Sequence, residues 1–195
     1  MEFRLAHRFV ALLLMVLAIG PAPVHSDALD GVLEVRSAYV NLEGGVYQLF
    51  ARVAYPVNDD IRQALKDGLK LSFDLDVIVS RDRRWWLNED VAKYSLKREL
   101  MYHAVSDRYI TRDLDPRSPA PQHSYATLEE ALESLGTVDA WPILVSSQLS
   151  PTREYRVSLR AGVRRGSLPD TLRVLLFWTD DWHRESEWFS WSLQR

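Results

Sequence analysis

The chain has 195 residues, 27 of them acidic and 24 basic, with a formal net charge of −3 at pH 7 and no cysteine. This near balance of charge gives no support to a nucleic-acid-binding protein. The absence of cysteine excludes disulfides, thiolate metal sites and a cysteine nucleophile, so we expect a fold stabilised by packing.

The first 26 residues have the pattern of a secretory signal peptide. A basic head with Arg4 and Arg8 precedes an uncharged apolar run of 12 residues, 9–20, which is shorter than the roughly 17 to 25 residues of a membrane-spanning helix. Val24 and Ser26 predict cleavage after Ser26, with retention as an anchor as the alternative. We expect residues 27–195 to form one periplasmic or secreted domain.

The predicted domain begins with a β-hairpin and a short helix. Residues 32–42 and 46–55 form extended segments, and Gly44-Gly45 between them suits the positive φ of a hairpin turn. Asn58 is predicted to cap the helix, which ends near Gly68.

A strand with strict alternation follows at residues 71–79, and it places Asp74 and Asp76 on one face. Such a pair can bind a metal or act in acid–base chemistry. The alternative, which we prefer, is the solvated side of a strand.

Arginines and tryptophans meet in the next segment, which contains Arg81, Arg83, Arg84, Trp85 and Trp86. One interpretation is a cation–π platform for a partner protein or an anionic polymer. In the other, the indoles fill the core and the arginines face water.

The alternation over residues 93–104 places Arg98 on the inward face. A buried guanidinium needs a carboxylate or backbone carbonyls, so we expect Arg98 to anchor a structural ion pair, with a ligand site as the alternative. Residues 113–124 contain three prolines and are predicted to be a loop. Thr127 and Glu130 match a capping box for a helix that ends at Gly136.

The outward face of a strand over residues 155–164 carries Arg156, Arg160 and Arg164. Like charges at this spacing repel each other unless acidic residues of a neighbouring strand face them. We predict this basic face as a candidate binding surface.

The last part of the chain is rich in tryptophan. Residues 172–178 read as a central strand and residues 188–193 as a strand covered on one side, and Trp182 lies in the polar loop between them. Asp180, Asp181 and His183 of this loop are candidate metal ligands or an acid–base pair, and a solvated turn is the simpler interpretation.

Several of these features together resemble a family of proteobacterial exported proteins, domain-of-unknown-function family 4390. The resemblance rests on the signal sequence, the residue 61–69 helix, the residue 81–86 segment and Tyr102-His103 followed by Tyr109. It also rests on features of the second half of the chain: the residue 128–136 helix, Leu168-Pro169, Asp181-Trp182 and Ser186-Glu187-Trp188. The resemblance implies an exported single-domain protein and transfers no catalytic or binding residue.

We therefore predict a mainly β fold, an antiparallel β-sandwich of seven to nine strands with two short helices; the alternative is an α+β fold with helices on one face of a sheet. The predicted function is a non-catalytic binding module for an envelope protein or a membrane sensor, without a cofactor. The alternatives are a carbohydrate-binding β-sandwich, using exposed tryptophans, and a metal-assisted hydrolase. The candidate binding residues are Arg81, Arg83, Arg84, Trp85, Trp86, Arg156, Arg160, Arg164 and Trp182.

Overall fold

The computed structural model describes residues 29–81, 89–114, 122–166 and 182–193, which form two antiparallel sheets and two helices. The strands are β1 (Glu34–Glu43), β2 (Val46–Ala54), β3 (Leu71–Arg81), β4 (Glu89–His103), β5 (Arg108–Asp113), β6 (His123–Tyr125), β7 (Thr137–Val145), β8 (Tyr155–Arg165), β9 (His183–Glu185) and β10 (Phe189–Ser192). The helices are α1 (Asp59–Lys66) and α2 (Leu128–Gly136), and a 3₁₀ turn covers Ser146–Gln148. No helix in these ranges has the length and apolarity that crossing a membrane requires.

The small sheet has the order β1-β2-β7, and the large sheet has the order β10-β8-β3-β4-β5-β6, with β9 paired to β8 beside β10. The β1–β2 hairpin turns at Gly44 and Gly45, whose φ angles of 55° and 81° are those that glycine adopts without strain. Strand β3 lies at the centre of the large sheet because it pairs with both β4 and β8.

The core lies between the two sheets and is built by alternate residues of their strands. Tyr47, Leu49 and Ala51 of β2 face it from the small sheet, and the odd-numbered residues of β3 and β8 face it from the large one. Residues with the same parity as Asp74 therefore point to the opposite, outer face of the large sheet. The predicted mainly β sandwich with two short helices is confirmed.

Both helices begin where the sequence predicts. The Asn58 side chain accepts a hydrogen bond of 2.7 Å from the Ile61 amide, and Thr127 Oγ1 accepts one of 3.2 Å from the Glu130 amide. The Glu130 carboxylate in turn accepts a hydrogen bond from the amide of Ala126, one residue before the cap. These bonds satisfy amides that a helix leaves unpaired at its start.

Gly136 is the last residue of α2, and the reason for a glycine here is steric rather than a positive φ. A Cβ atom at this position would overlap the carbonyl group of Val53, on β2, more closely than real Cβ atoms approach any atom. The absence of a side chain thus allows the end of α2 to lie directly on the small sheet.

Three details of the sequence prediction are corrected. The described ranges contain ten strands rather than seven to nine. Two of them, β6 and β9, have only three residues each and are too short to show a clear alternation in the sequence. The predicted loop over residues 113–124 ends in β6, which pairs with β5. The alternation over residues 93–104 also places Glu99 on the outward face. The residue is nevertheless only 4% exposed because Lys70 and Arg112 cover it, with Nζ and Nη2 at 3.7 and 2.9 Å from Oε1.

Candidate functional site

The outer face of the large sheet brings together charged residues from four strands. One row of paired residues runs Lys97, Asp74, Gly162 and Glu185 across β4, β3, β8 and β9. Neighbouring strands lie about 4.8 Å apart, so Asp74 and Glu185 stand on either side of Gly162, with roughly 10 Å between their backbones.

The predicted basic face of β8 is matched by carboxylates on its two neighbouring strands. Arg164 Nη2 lies 3.2 Å from Asp74 Oδ1. Arg160 lies between two acidic residues, with Nη1 at 2.5 Å from Glu185 Oε2 and Nη2 at 3.7 Å from Asp76 Oδ2. The outer face is therefore a mixed-charge surface, in which acidic residues of β3 and β9 relieve the repulsion between the arginines.

A cavity of about 290 Å³ opens on this face, and we call it the sheet cavity. The residues that line it are Asp74, Asp76, Ser95, Lys97, Arg160, Gly162, Arg164, His183 and Glu185. Its floor is Gly162, since this position carries no side chain between Asp74 and Glu185.

Gly162 has none of the usual structural reasons to be glycine. Its φ is not positive, and a Cβ atom there would meet its nearest neighbours at 3.8–3.9 Å, an ordinary van der Waals distance. Glycine within a strand weakens the strand, and one explanation for it is the close approach of a ligand. The fold thus has room for a Cβ atom at position 162, and a larger side chain there would occupy part of the cavity.

Lys97 and Arg164 make one wall of the sheet cavity positive. Lys97 is exposed and has no carboxylate within 4 Å among the described residues, and the Arg164 side chain is 46% exposed. Asp74 is the single carboxylate at this wall, and burial raises its pKa despite the nearby charges of Arg164 and Lys97. The opposite wall has two carboxylates, Asp76 and Glu185, around one guanidinium, so the cavity is dipolar.

Trp188 lies beside the sheet cavity and is 41% exposed. The Arg160 guanidinium carbon is 4.6 Å from the centre of its ring, within cation–π distance. One face of this indole is thus already covered. Trp141, Trp182 and Trp191 are partly buried against the core, so the described residues offer no row of open indoles for stacking sugar rings.

The remaining predicted residues do not gather at this cavity. Arg81 forms an ion pair with Glu89, while Arg83, Arg84, Trp85 and Trp86 lie outside the described residues. Arg156 is half-buried opposite Ser80 and Ser192. The role of all these residues in binding stays a prediction.

Two other predicted sites have different outcomes. Arg98 faces inward, as its position on β4 predicts. The expected ion pair is a long one, with Nε at 4.0 Å from Asp113 Oδ1, and the hydrogen bonds go to backbone carbonyls near the end of α2. Of the suggested metal ligands, Asp180 and Asp181 lie outside the described residues, and His183 is exposed on β9 with Nε2 at 3.7 Å from Glu185. No group of three or more possible metal ligands occurs among the described residues.

The sequence interpretation missed Lys97, Gly162 and Glu185 as members of a site. Each lies on a different strand, and only the pairing of β8 with β3 and β9 brings them together. A glycine in the middle of an alternating strand, without a turn nearby, was the one local signal that pointed to this position.

Comparison with known proteins identifies one family. A family model described as "Domain of unknown function (DUF4390)" matches residues 31–192, which is most of the chain. No curated protein and no solved structure matches the chain.

Proposed function

The chain belongs to the DUF4390 family, and from the geometry of its large sheet we propose that it is an exported, non-catalytic binding module for a protein of the cell envelope. The partner inserts an acidic side chain into the sheet cavity, where Lys97 and Arg164 bind it. The signal-like first 26 residues support export.

The main support for this proposal is the glycine at position 162. It leaves an open floor in the middle of a central strand, where neither a turn nor a close contact requires glycine. An arriving side chain fills that space and loses contact with water, which strengthens its interaction with the charged walls.

Charge complementarity selects an acidic group at the positive wall. Asp74, Asp76 and Glu185 each have an arginine within 4 Å, whereas Lys97 has no such partner among the described residues. Trp188 and Arg160 next to the cavity are residue types that often dominate the energetics of protein interfaces.

Photo-crosslinking from position 95 tests the proposal, because Ser95 is exposed and lines the cavity. The full chain carries a photoreactive residue in place of Ser95 in living cells, and mass spectrometry identifies the adduct. We expect an adduct with one envelope protein, lost in Gly162→Val, which fills the floor, and in Lys97→Glu, which reverses a charge outside the ion pairs.

Lys66→Glu is the matched control, since Lys66 is an exposed lysine on α1 and the substitution makes the same change in net charge. This variant keeps the adduct, and melting temperatures show that all variants are folded. An adduct that survives both cavity variants, or no adduct with any envelope protein, contradicts the proposed binding site.

Export is tested separately by cell fractionation and N-terminal sequencing. The mature protein is expected outside the cytoplasm with Asp27 as its first residue, and Leu13→Arg in the apolar run retains it inside. A wild-type protein found in the cytoplasm with its first 26 residues intact contradicts export.

A further inference from the structure

A second cavity, of about 540 Å³, lies between α2 and the edge of the large sheet, and we call it the helix cleft. Its lining includes the inward-facing residues Arg98, Thr111, Asp113 and Tyr125 of β4, β5 and β6. The space between a helix and the inner face of a sheet is normally apolar, but here it is polar.

Arg98 forms the positive floor of the helix cleft. Its side chain is 14% exposed, and Nη1 donates to the carbonyls of Ser134 and Thr137, both at 3.3 Å. Nε lies 4.0 Å from Asp113 Oδ1, and Nη2 has no hydrogen bond to a described residue. These contacts fix the guanidinium in place while leaving donors that can bind an oxyanion.

Thr111 contributes a hydroxyl group to the helix cleft. The residue is 5% exposed and lines the cleft, and its hydroxyl makes no hydrogen bond to any residue in the described ranges. This hydroxyl is not among the buried side-chain atoms that lack a partner, so it is open to the cleft and can bind a ligand there. The Tyr125 hydroxyl nearby is held by Ser134, with 2.5 Å between the two oxygens.

The rim of the helix cleft is acidic on the side of α2, and Arg112 and His123 line the side of the sheet. Glu130 and Glu133 are exposed residues of α2 that line it. Glu130 accepts only the capping bond from Ala126, and Glu133 has no ion pair among the described residues. The cleft therefore has a cation at its floor and carboxylates at its entrance.

We infer that the helix cleft is a binding site for a small zwitterion, an amino acid or short peptide. Its carboxylate binds Arg98 and Thr111 at the floor, and its ammonium group lies at Glu130 and Glu133. A simple anion fits less well because Glu130 and Glu133 repel it, and a simple cation leaves Arg98 and Thr111 without partners. This site is separate from the sheet cavity and does not depend on the proposed envelope partner.

Isothermal titration of the purified protein with alanyl-alanine tests the inference. Two matched ligands each lack one charge: the N-acetyl dipeptide has no ammonium group, and the dipeptide amide has no carboxylate. We expect the dipeptide to bind at least ~10-fold more tightly than either derivative, since each loses a charge-assisted contact.

Two variants locate the binding. Thr111→Val removes the hydroxyl and keeps the shape, and it weakens dipeptide binding roughly fivefold without lowering the melting temperature. Glu133→Gln weakens binding of the dipeptide but not that of its N-acetyl derivative. Ser124→Ala, a hydroxyl removal on the outer side of β6, is the control and leaves binding unchanged.

The inference is overturned if the dipeptide does not bind, or if both derivatives bind as tightly as the dipeptide. It is also overturned if neither Thr111→Val nor Glu133→Gln changes the affinity for the dipeptide.

Discussion

The guanidinium of Arg62, on α1, donates a hydrogen bond to Glu129, on α2, with 2.7 Å between Nη2 and Oε1. This bond links two helices that are distant in sequence. It raises the pKa of Arg62 and lowers the pKa of Glu129. A carboxyl group whose pKa is lowered by folding stabilises the protein above its unfolded pKa, and this contribution is lost as the pH falls through the folded pKa.

Glu129→Gln is therefore expected to lower the free energy of unfolding at pH 7 by about 0.5 kcal/mol, a small value because both side chains are partly exposed. At pH 3 the difference between the variant and the wild type should be smaller, because it disappears as the pH falls through the lowered pKa of Glu129. Urea unfolding at both pH values measures this difference. Glu133→Gln, an exposed change in the same helix, is the control, and an equal loss in both variants would count against the Arg62 pair.

The contribution of Asp74 to stability should depend on pH in the opposite sense to that of Glu129, because burial raises the pKa of Asp74. A carboxyl group whose pKa is raised by folding favours the folded state below its unfolded pKa, and this advantage is lost as the pH rises through the folded pKa. Asp74→Asn removes the buried charge, and Arg164 stays hydrated because it is 46% exposed.

We expect Asp74→Asn to raise the free energy of unfolding at pH 7 by about 1 kcal/mol, with no gain at pH 3. Asp76→Asn on the same face is the comparison, since Asp76 is more exposed, and it should bring no gain. Urea unfolding measures the free energy of unfolding of both variants. A loss of stability in Asp74→Asn at pH 7 would show that the ion pair with Arg164 outweighs the cost of desolvating Asp74.

The two buried glycines Gly136 and Gly162 should differ sharply in their tolerance of a methyl group. Gly136→Ala pushes Cβ into the Val53 carbonyl group, so the end of α2 must shift. We expect a loss of about 3 kcal/mol, typical of severe overpacking. Gly162→Ala has ordinary contacts and should change stability by less than about 1 kcal/mol. Thermal unfolding of the two variants compares them, and equal losses would refute the steric explanation.

Ala140 lies in the bulge of β7 with a φ of +51°, a conformation that costs alanine about 1 kcal/mol or more. Ala140→Gly relieves this strain but increases the entropy of the unfolded chain. We therefore expect a net increase of about 0.5 kcal/mol in the free energy of unfolding, measured by chemical unfolding. Asp107 has the same φ, but it accepts a hydrogen bond of 2.5 Å from the Tyr102 hydroxyl. Asp107→Gly should therefore bring no gain, and a similar gain in both variants would contradict this reasoning.

Local patterns in the sequence were sufficient for much of the fold. The alternation along β3 and β8 correctly predicted which residues face the core, and the caps at Asn58 and Thr127 located the starts of both helices. These features depend on contacts within a few residues, so the sequence carries them directly. The burial of Glu99 was missed because Lys70 and Arg112, which cover it, come from other parts of the chain.

The candidate site was only half visible in the sequence. Arg160 and Arg164 were recognised as an outward pair on β8, and the need for acidic residues on a neighbouring strand followed from their spacing. Nothing local identified Asp74, Asp76 and Glu185 as those acidic residues.

The sequence by itself determined the face on which the side chains of strands such as β3 and β8 lie, because alternation along a strand is a property of the backbone. Only the tertiary structure decided which strands are neighbours, and so it alone placed Lys97, Asp74, Gly162 and Glu185 in one row. Strand order depends on how two whole sheets pack their apolar faces together, and no short segment contains that information.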